Sequence, residues 1–348
     1  MKISSLAVAL IASSYFAEAF VAPKPLNGLN AAFTAGTSLS ASVAEPESRV
    51  GRSKEEISKE LSSGKLLEGG QVIDFGAVKG ESRAETALST ARTTLLEERG
   101  ETSIHSEVDI SSGVLGINDE VIAEVGYPLA QFADPTVVQK CASFLRSAAP
   151  NGFFEDATEP LDVNFTAEEK ADFSRILRKA YEESGEVTSA FAKTFYMGTQ
   201  LLPEAAREAI WAVYVWCRRT DEIVDAPRDN DEEMLRDLSS WEIRLENLWK
   251  YGAVEDVFDL CLLDVRIKYP NLSITPFVDM IRGMLMDVPE LGQDRYDTFD
   301  ELHLYCYRVA GTVGLMSMPV FGCAPGYNED VARYVSSLYN LLSPPPHR

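Results

Sequence analysis

The run AIWAVYVWCRRTDEIVDAP, residues 209–227, holds the residues best able to do chemistry. Asp221 and Asp225 are four apart and share one face of a helix. Arg218 lies three residues before Asp221, and Tyr214 four before Arg218, so one stripe carries Tyr214, Arg218, Asp221, Glu222 and Asp225. Ile210, Trp211, Val213, Val215, Trp216, Ile223 and Val224 are apolar around it, which predicts a buried helix. Buried carboxylates are costly unless paired or metal-bound. Two on one face can hold Mg²⁺, whose other ligands would be water and a substrate phosphate, and Arg218 could bind that phosphate through charge-assisted hydrogen bonds. The same residues admit a second reading, in which Arg218 and Arg219 pair with Asp221, Glu222 and Asp225 as structural ion pairs.

Other chemistries have less to work with. The five cysteines are widely spaced with no CxxC, and none of the three histidines is paired in HExxH. A disulfide framework and a zinc site are therefore not expected. Carboxylates remain as metal ligands, and they favour hard Mg²⁺, or Mn²⁺, over zinc. The 348-residue chain carries 54 acidic and 32 basic side chains, a formal charge of −22. That field opposes nucleic-acid binding. It would repel a diphosphate as well, unless metal ions and local Arg or Lys reverse the sign.

The elements that must position the stripe read as helices. Thr166-Ala-Glu-Glu169 is a capping box, followed by Phe173, Ile176, Leu177, Ala180 and Tyr181 at amphipathic spacing. Pro203 suits a first turn, with a long helix running to Asp225. Further helices fit Glu232–Tyr251, Val254–Lys268, Ile274–Asp287 and Phe299–Val320, while few stretches alternate with period two. The fold class expected is all-α. Residues 51–165 read as a polar extension or linker with short helices such as Arg83–Arg99. Residues 1–19 have the shape of a signal peptide, and 20–50 are rich in Ser, Thr and Ala with almost no acid, like a transit segment. Together they resemble the bipartite leader of algae with secondary plastids; an ordinary secreted protein with a disordered leader is the alternative.

AKTFYMGTQLLP followed by the 209–227 run, then PFVDMIRGMLMD and FDELHLYCYRVAGTVGLMSMPVFG, resembles phytoene synthase, which belongs with squalene synthase in the head-to-head prenyl synthases. The likeness covers about Ala180 to Ala324. It implies an isoprenoid-synthase-type helical bundle around a central cavity, a domain over 166–332, and condensation of two geranylgeranyl diphosphates to phytoene through prephytoene diphosphate, in the plastid. By position, it implies that Asp221 and Asp225 bind Mg²⁺. It assigns Arg218 and Tyr214 to diphosphate, and Lys193, Thr194 and Phe195 to a flap over the substrate. Tyr305 would lie near the cationic intermediates. From the residues alone, Tyr214 and Tyr305 serve equally as core tyrosines and Lys193 as a surface charge. Gly311 and Gly314 read either as room for a prenyl chain or as close helix packing.

Head-to-head synthases carry a second acidic motif downstream. After Ala324 the only acids here are Glu329 and Asp330, and the ending 333–348 departs from the pattern. The expectations are a domain that stops early and little or no activity of the chain as written. A non-catalytic prenyl-diphosphate-binding partner of a full-length synthase is one alternative and squalene synthase another. The hydrophobic substrate and product suggest peripheral contact with the plastid membrane.

Overall fold

The computed structural model describes residues 65–68, 71–74, 83–99, 135–155, 165–225, 230–288, 291, 296 and 298–322. The leader (1–50) and the ending (333–348) lie outside the described residues. Ten α-helices are described: α1 (Arg83–Arg99), α2 (Pro135–Ser147), α3 (Ala167–Phe191), α4 (Lys193–Thr199), α5 (Glu204–Asp225), α6 (Asp231–Tyr251), α7 (Val257–Lys268), α8 (Thr275–Leu285), α9 (Phe299–Cys306) and α10 (Thr312–Phe321). A π-turn, Tyr307–Gly311, joins α9 to α10. The all-α expectation holds for this body.

Local chemistry sets the helix ends. The expected capping box forms at α3: the Thr166 Oγ1 accepts from the Glu169 N–H at 3.2 Å, and the Thr166 N–H donates back to Glu169 at 2.9 Å. Thr298 and Glu301 repeat the device at α9. Asn230 caps α6, and Gly252 ends it with a left-handed φ of 64° that a side chain would strain. Asp256 opens α7 by accepting from the N–H groups of Phe258 and Asp259.

Helix α5 is the axis. It packs against α3, α6, α7, α8 and α10, and every residue from Ala209 to Cys217 is buried. Gly185 of α3 allows the closest approach, since a Cβ there would sit 2.7 to 3.0 Å from the Trp211 ring. An aromatic cluster fills the space between α5, α6 and α8. Trp216 stacks on Trp241 at 5.9 Å and meets Phe277 edge-on at 4.8 Å, and Trp249 lies 5.0 Å from Phe277. Buried hydroxyls are satisfied locally: Ser184, Thr188, Thr220 and Ser317 each donate to the carbonyl four residues back.

Three departures from the sequence reading have physical causes. Segment 51–165 is more than a linker, because two of its helices join the body. Helix α1 buries Ala84, Leu88 and Leu95, and α2 buries Val138, Cys141, Ala142 and Leu145. Second, Lys65–Glu68 and Gln71–Asp74 pair as a short antiparallel hairpin, with Glu68 opposite Gln71; Gly69-Gly70 between the strands is a two-residue hairpin signal. Third, the helix expected over Phe299–Val320 runs to Phe321 but takes one residue too many at Tyr307–Gly311, where the Thr312 N–H donates to the Tyr307 carbonyl five residues back.

Candidate active site

The expected stripe exists on α5 and divides by depth. Asp221 is 4% exposed and Glu222 8%, whereas Asp225, at the last turn, is exposed. Arg218 holds both inner acids: its Nη1 donates to Asp221 Oδ2 at 3.0 Å and its Nη2 pairs with Glu222. The guanidinium also lies 4.5 Å from the Phe191 ring centroid at the end of α3. Its Nε is buried with no hydrogen-bond partner among the described residues. Tyr214, one turn earlier, is 3% exposed; burial, aided by Asp221 and opposed by Arg218, pushes its phenol well above the ordinary range. Among the groups it faces, it stays a neutral hydroxyl.

Arg219 behaves differently from the ion-pair reading that grouped it with Arg218. It points around the helix and donates to Asp256 Oδ2 at 2.6 Å, with Asp259 at 3.6 Å. Arg244 of α6 donates to the same Asp256 oxygen at 2.6 Å and to Asp259 at 2.9 Å. Burial alone would raise the Asp256 pKa, but the two guanidiniums hold it well below the usual carboxylate range. This network ties α5, α6 and α7 together on the side away from Arg218. Trp241 completes it, its ring lying 4.6 Å from the Arg219 guanidinium and its Nε1–H donating to the Thr220 hydroxyl.

The three residues expected to form a flap, Lys193, Thr194 and Phe195, lie on α4, and the structure brings one of them to the stripe. Phe195 packs 5.7 Å, centroid to centroid, from Tyr214. Lys193 and Thr194 are exposed. Helix α4 is moored by Trp211, whose Nε1–H donates to Thr199 Oγ1 at 2.9 Å and whose ring stacks on Tyr196 at 5.5 Å. Tyr305 lies on α9. Its hydroxyl donates to Asp287 at 2.9 Å and its ring stacks on Tyr296 at 5.1 Å. Tyr307 donates to Asp279 at 2.8 Å in the same way. Asp279 and Asp287 thus anchor the two tyrosines of YCYR. Sequence spacing gave no sign of these partners or of the Arg219 network, because each partner lies far along the chain, on or beside a different helix.

Donor chemistry decides what the stripe could bind. Asp221 and Asp225 offer oxygen only, which suits Mg²⁺ or Mn²⁺ rather than zinc. Among the described residues, no group of three or more His, Cys, Asp or Glu forms a complete metal cage. Two carboxylates fit a hard ion that keeps waters and takes further oxygens from a phosphate.

Residues 188–338 match the squalene/phytoene synthase family model. Over 146 residues the chain is 56% identical to a 15-cis-phytoene synthase of Synechococcus elongatus, covering 42% of this chain and 46% of that protein. It is 41% identical over 238 residues to the chloroplastic phytoene synthase 2 of Oryza sativa, covering 67% and 56%, and 54% identical over 145 residues to a phytoene synthase of Arthrospira platensis, covering 42% and 45%. The chain spans about half the length of the curated relatives it matches. The segment that resembles the squalene/phytoene synthase family thus runs from the end of α3 onward and includes α4 and the Arg218–Asp221 stripe.

Proposed function

We propose that the α5 stripe and α4 form a prenyl-diphosphate site, and that the reaction is head-to-head condensation of two geranylgeranyl diphosphates to phytoene through prephytoene diphosphate. One observation carries the reading: Arg218 is held at the stripe by Asp221 and Glu222, and the same stripe is roofed through Tyr214 by Phe195 of the expected flap. Asp221 and Asp225 would hold Mg²⁺ or Mn²⁺, which when bound neutralises a leaving diphosphate. Arg218 supplies charge-assisted hydrogen bonds to the diphosphate oxygens. Exposed Lys193, beside Thr194 and Phe195 on α4, supplies further positive charge to it. Tyr214 stays neutral and orients rather than titrates. In the first ionisation the C1–O bond of one substrate breaks and diphosphate leaves with the electron pair. The allylic cation is captured by the double bond of the other substrate, a proton being lost as the cyclopropane closes. In the second, the cyclopropylcarbinyl diphosphate ionises in the same way and its cation rearranges. Both cations must meet aromatic faces rather than water. Phe191, Phe195 and Tyr214 supply such faces here; Tyr305 supplies another on α9. Loss of a proton ends the sequence without a reductant.

The plant relatives are named chloroplastic, which supports a plastid location. No described helix is long and apolar enough to cross a membrane. Met197 on α4, 62% exposed, and Leu201 just after it, 85% exposed, would make the peripheral contact through which a lipid-soluble substrate arrives. The test is incubation of the 348-residue chain with geranylgeranyl diphosphate and Mg²⁺, with extraction of phytoene. Phytoene from the parent and none from Asp221→Asn supports the reading. Mg²⁺-dependent substrate binding without any product would instead make the chain a binder.

A further inference from the structure

A single π-helical turn inside an α-helix is rare and occurs frequently at functional sites. Its one extra residue also rotates everything beyond it by roughly 100° relative to an unbroken helix. The turn at Tyr307–Gly311 therefore fixes how Tyr305 on α9 is phased against α10, which packs on α5. Three of the contacts that hold it bear on this placement. Tyr307 donates to Asp279. The Arg308 backbone lies against Gly283 of α8, so closely that a Cβ there would come within 2.7 to 3.0 Å of Arg308. The third comes from far away in sequence: the Arg308 guanidinium pairs with Glu85 in the first turn of α1, 223 residues earlier.

Helix α1 lies outside the family-matched segment 188–338, yet it is built into the body. Arg92 donates to Glu242 at 3.1 Å and to Glu246 at 2.7 Å on α6. Ala84 and Leu88 are buried in the common core. Glu85 is thus carried on a fixed support, with side-chain exposures of 12% for Arg308 and 19% for Glu85. We propose that Glu85 is a positioning residue: through Arg308 it sets the π-turn, and with it the placement of Tyr305 relative to α10. The segment before the family domain then contributes to the site without touching substrate. The link to catalysis rests on the phytoene-forming reading above; the coupling of α1 to the turn does not.

The test uses the full chain and the variants Glu85→Gln, Arg308→Gln and the double substitution. Backbone amide exchange over 305–313 is expected to speed up on the order of tenfold in either single variant, with α7 changed by less than about twofold. The double variant should be no faster than the singles, since both break one pair. Unchanged exchange over 305–313 in Glu85→Gln, an equal rise in α7, or additive effects in the double variant would each overturn the coupling. In the phytoene assay, Glu85→Gln should lower kcat with KM within about twofold, because Arg218, Asp221 and Lys193 are untouched; an unchanged kcat would overturn the catalytic half. A parent chain that makes no phytoene refutes the proposed function, and the exchange result still decides whether Glu85 governs the turn.

Discussion

Replacing Asp256 with Asn isolates the charge of one carboxylate in the Arg219–Arg244 network. Asp256 does two jobs with two oxygens. Oδ1 accepts the Phe258 and Asp259 N–H groups as the cap of α7, at 3.0 Å each, and Oδ2 accepts from Arg219 and Arg244 at 2.6 Å each. Asn caps a helix about as well as Asp, so the first job survives. The second is reversed: an amide NH₂ now faces two guanidiniums that are 3% and 5% exposed. Removing one partner of a buried pair costs about 3–5 kcal/mol. With an m value of about 2 kcal/mol/M in urea, the midpoint should fall by about 2 M. The pH dependence adds a second reading. Folding depresses the Asp256 pKa, so the unfolded chain takes up this proton first as pH falls. The stabilisation is fully present above the unfolded value of about 3.9 and is lost as pH drops toward the native value. Parent and Asp256→Asn unfolding curves should therefore lie furthest apart near pH 6–7 and converge below about pH 4. A loss under about 1 kcal/mol, typical of surface pairs, or a gap that widens in acid, would refute the account of this network.

Gly185→Ala should cost about 1–3 kcal/mol by overpacking against Trp211, visible as a lowered melting temperature; an unchanged or raised one would show that the ring can give way. Arg218→Lys keeps the charge but loses the fork that spans Asp221 and Glu222, so kcat/KM for geranylgeranyl diphosphate should fall by about tenfold or more while the melting temperature moves little. Burial pushes the Cys141 thiol up to about 12 and raises Cys217, Cys261 and Cys306 as well. Maleimide at pH 7.5 should therefore label these four slowly in the folded chain and quickly in urea, as mass spectrometry of labelled peptides would record.

What could be read from the sequence was local. The Thr166–Glu169 box, the end of α5 at Asp225 and the span Arg83–Arg99 depend on residues within a turn or two of each other, and each forms as the spacing predicts. The stripe was legible for the same reason. Partners were not, because a carboxylate 37 residues away leaves no periodic trace: nothing in RRTDEIVD says that Arg219 binds Asp256 while Arg218 binds Asp221. Helix α2 did carry a signal, with Val138, Cys141, Ala142 and Leu145 at i, i+3, i+4 and i+7 behind Pro135. Surrounding prolines masked it. The π-turn had no such signal, since its cause is the packing of Arg308 on α8 and α1.

The adjacent arginines show how the site and the fold depend on each other. Successive residues on a helix point about 100° apart, so Arg218 and Arg219 cannot serve one face. Arg219 is committed to Asp256 and Asp259, and Thr220, next in line, accepts from Trp241. These contacts fix the rotation of α5 about its own axis. With that rotation fixed, Asp221 is brought beneath Arg218 and Phe191, and Tyr214 beneath Phe195. On the function proposed above, a diphosphate would meet the Arg218 guanidinium, and a divalent cation the Asp221 carboxylate, both already in place with no helix left to turn. Loosening the Arg219 side should consequently weaken diphosphate binding even though Arg219 pairs with Asp256 and Asp259 rather than with the stripe. Arg218→Lys, which keeps a charge beside Asp221 and Glu222, should weaken binding with far less loss of stability.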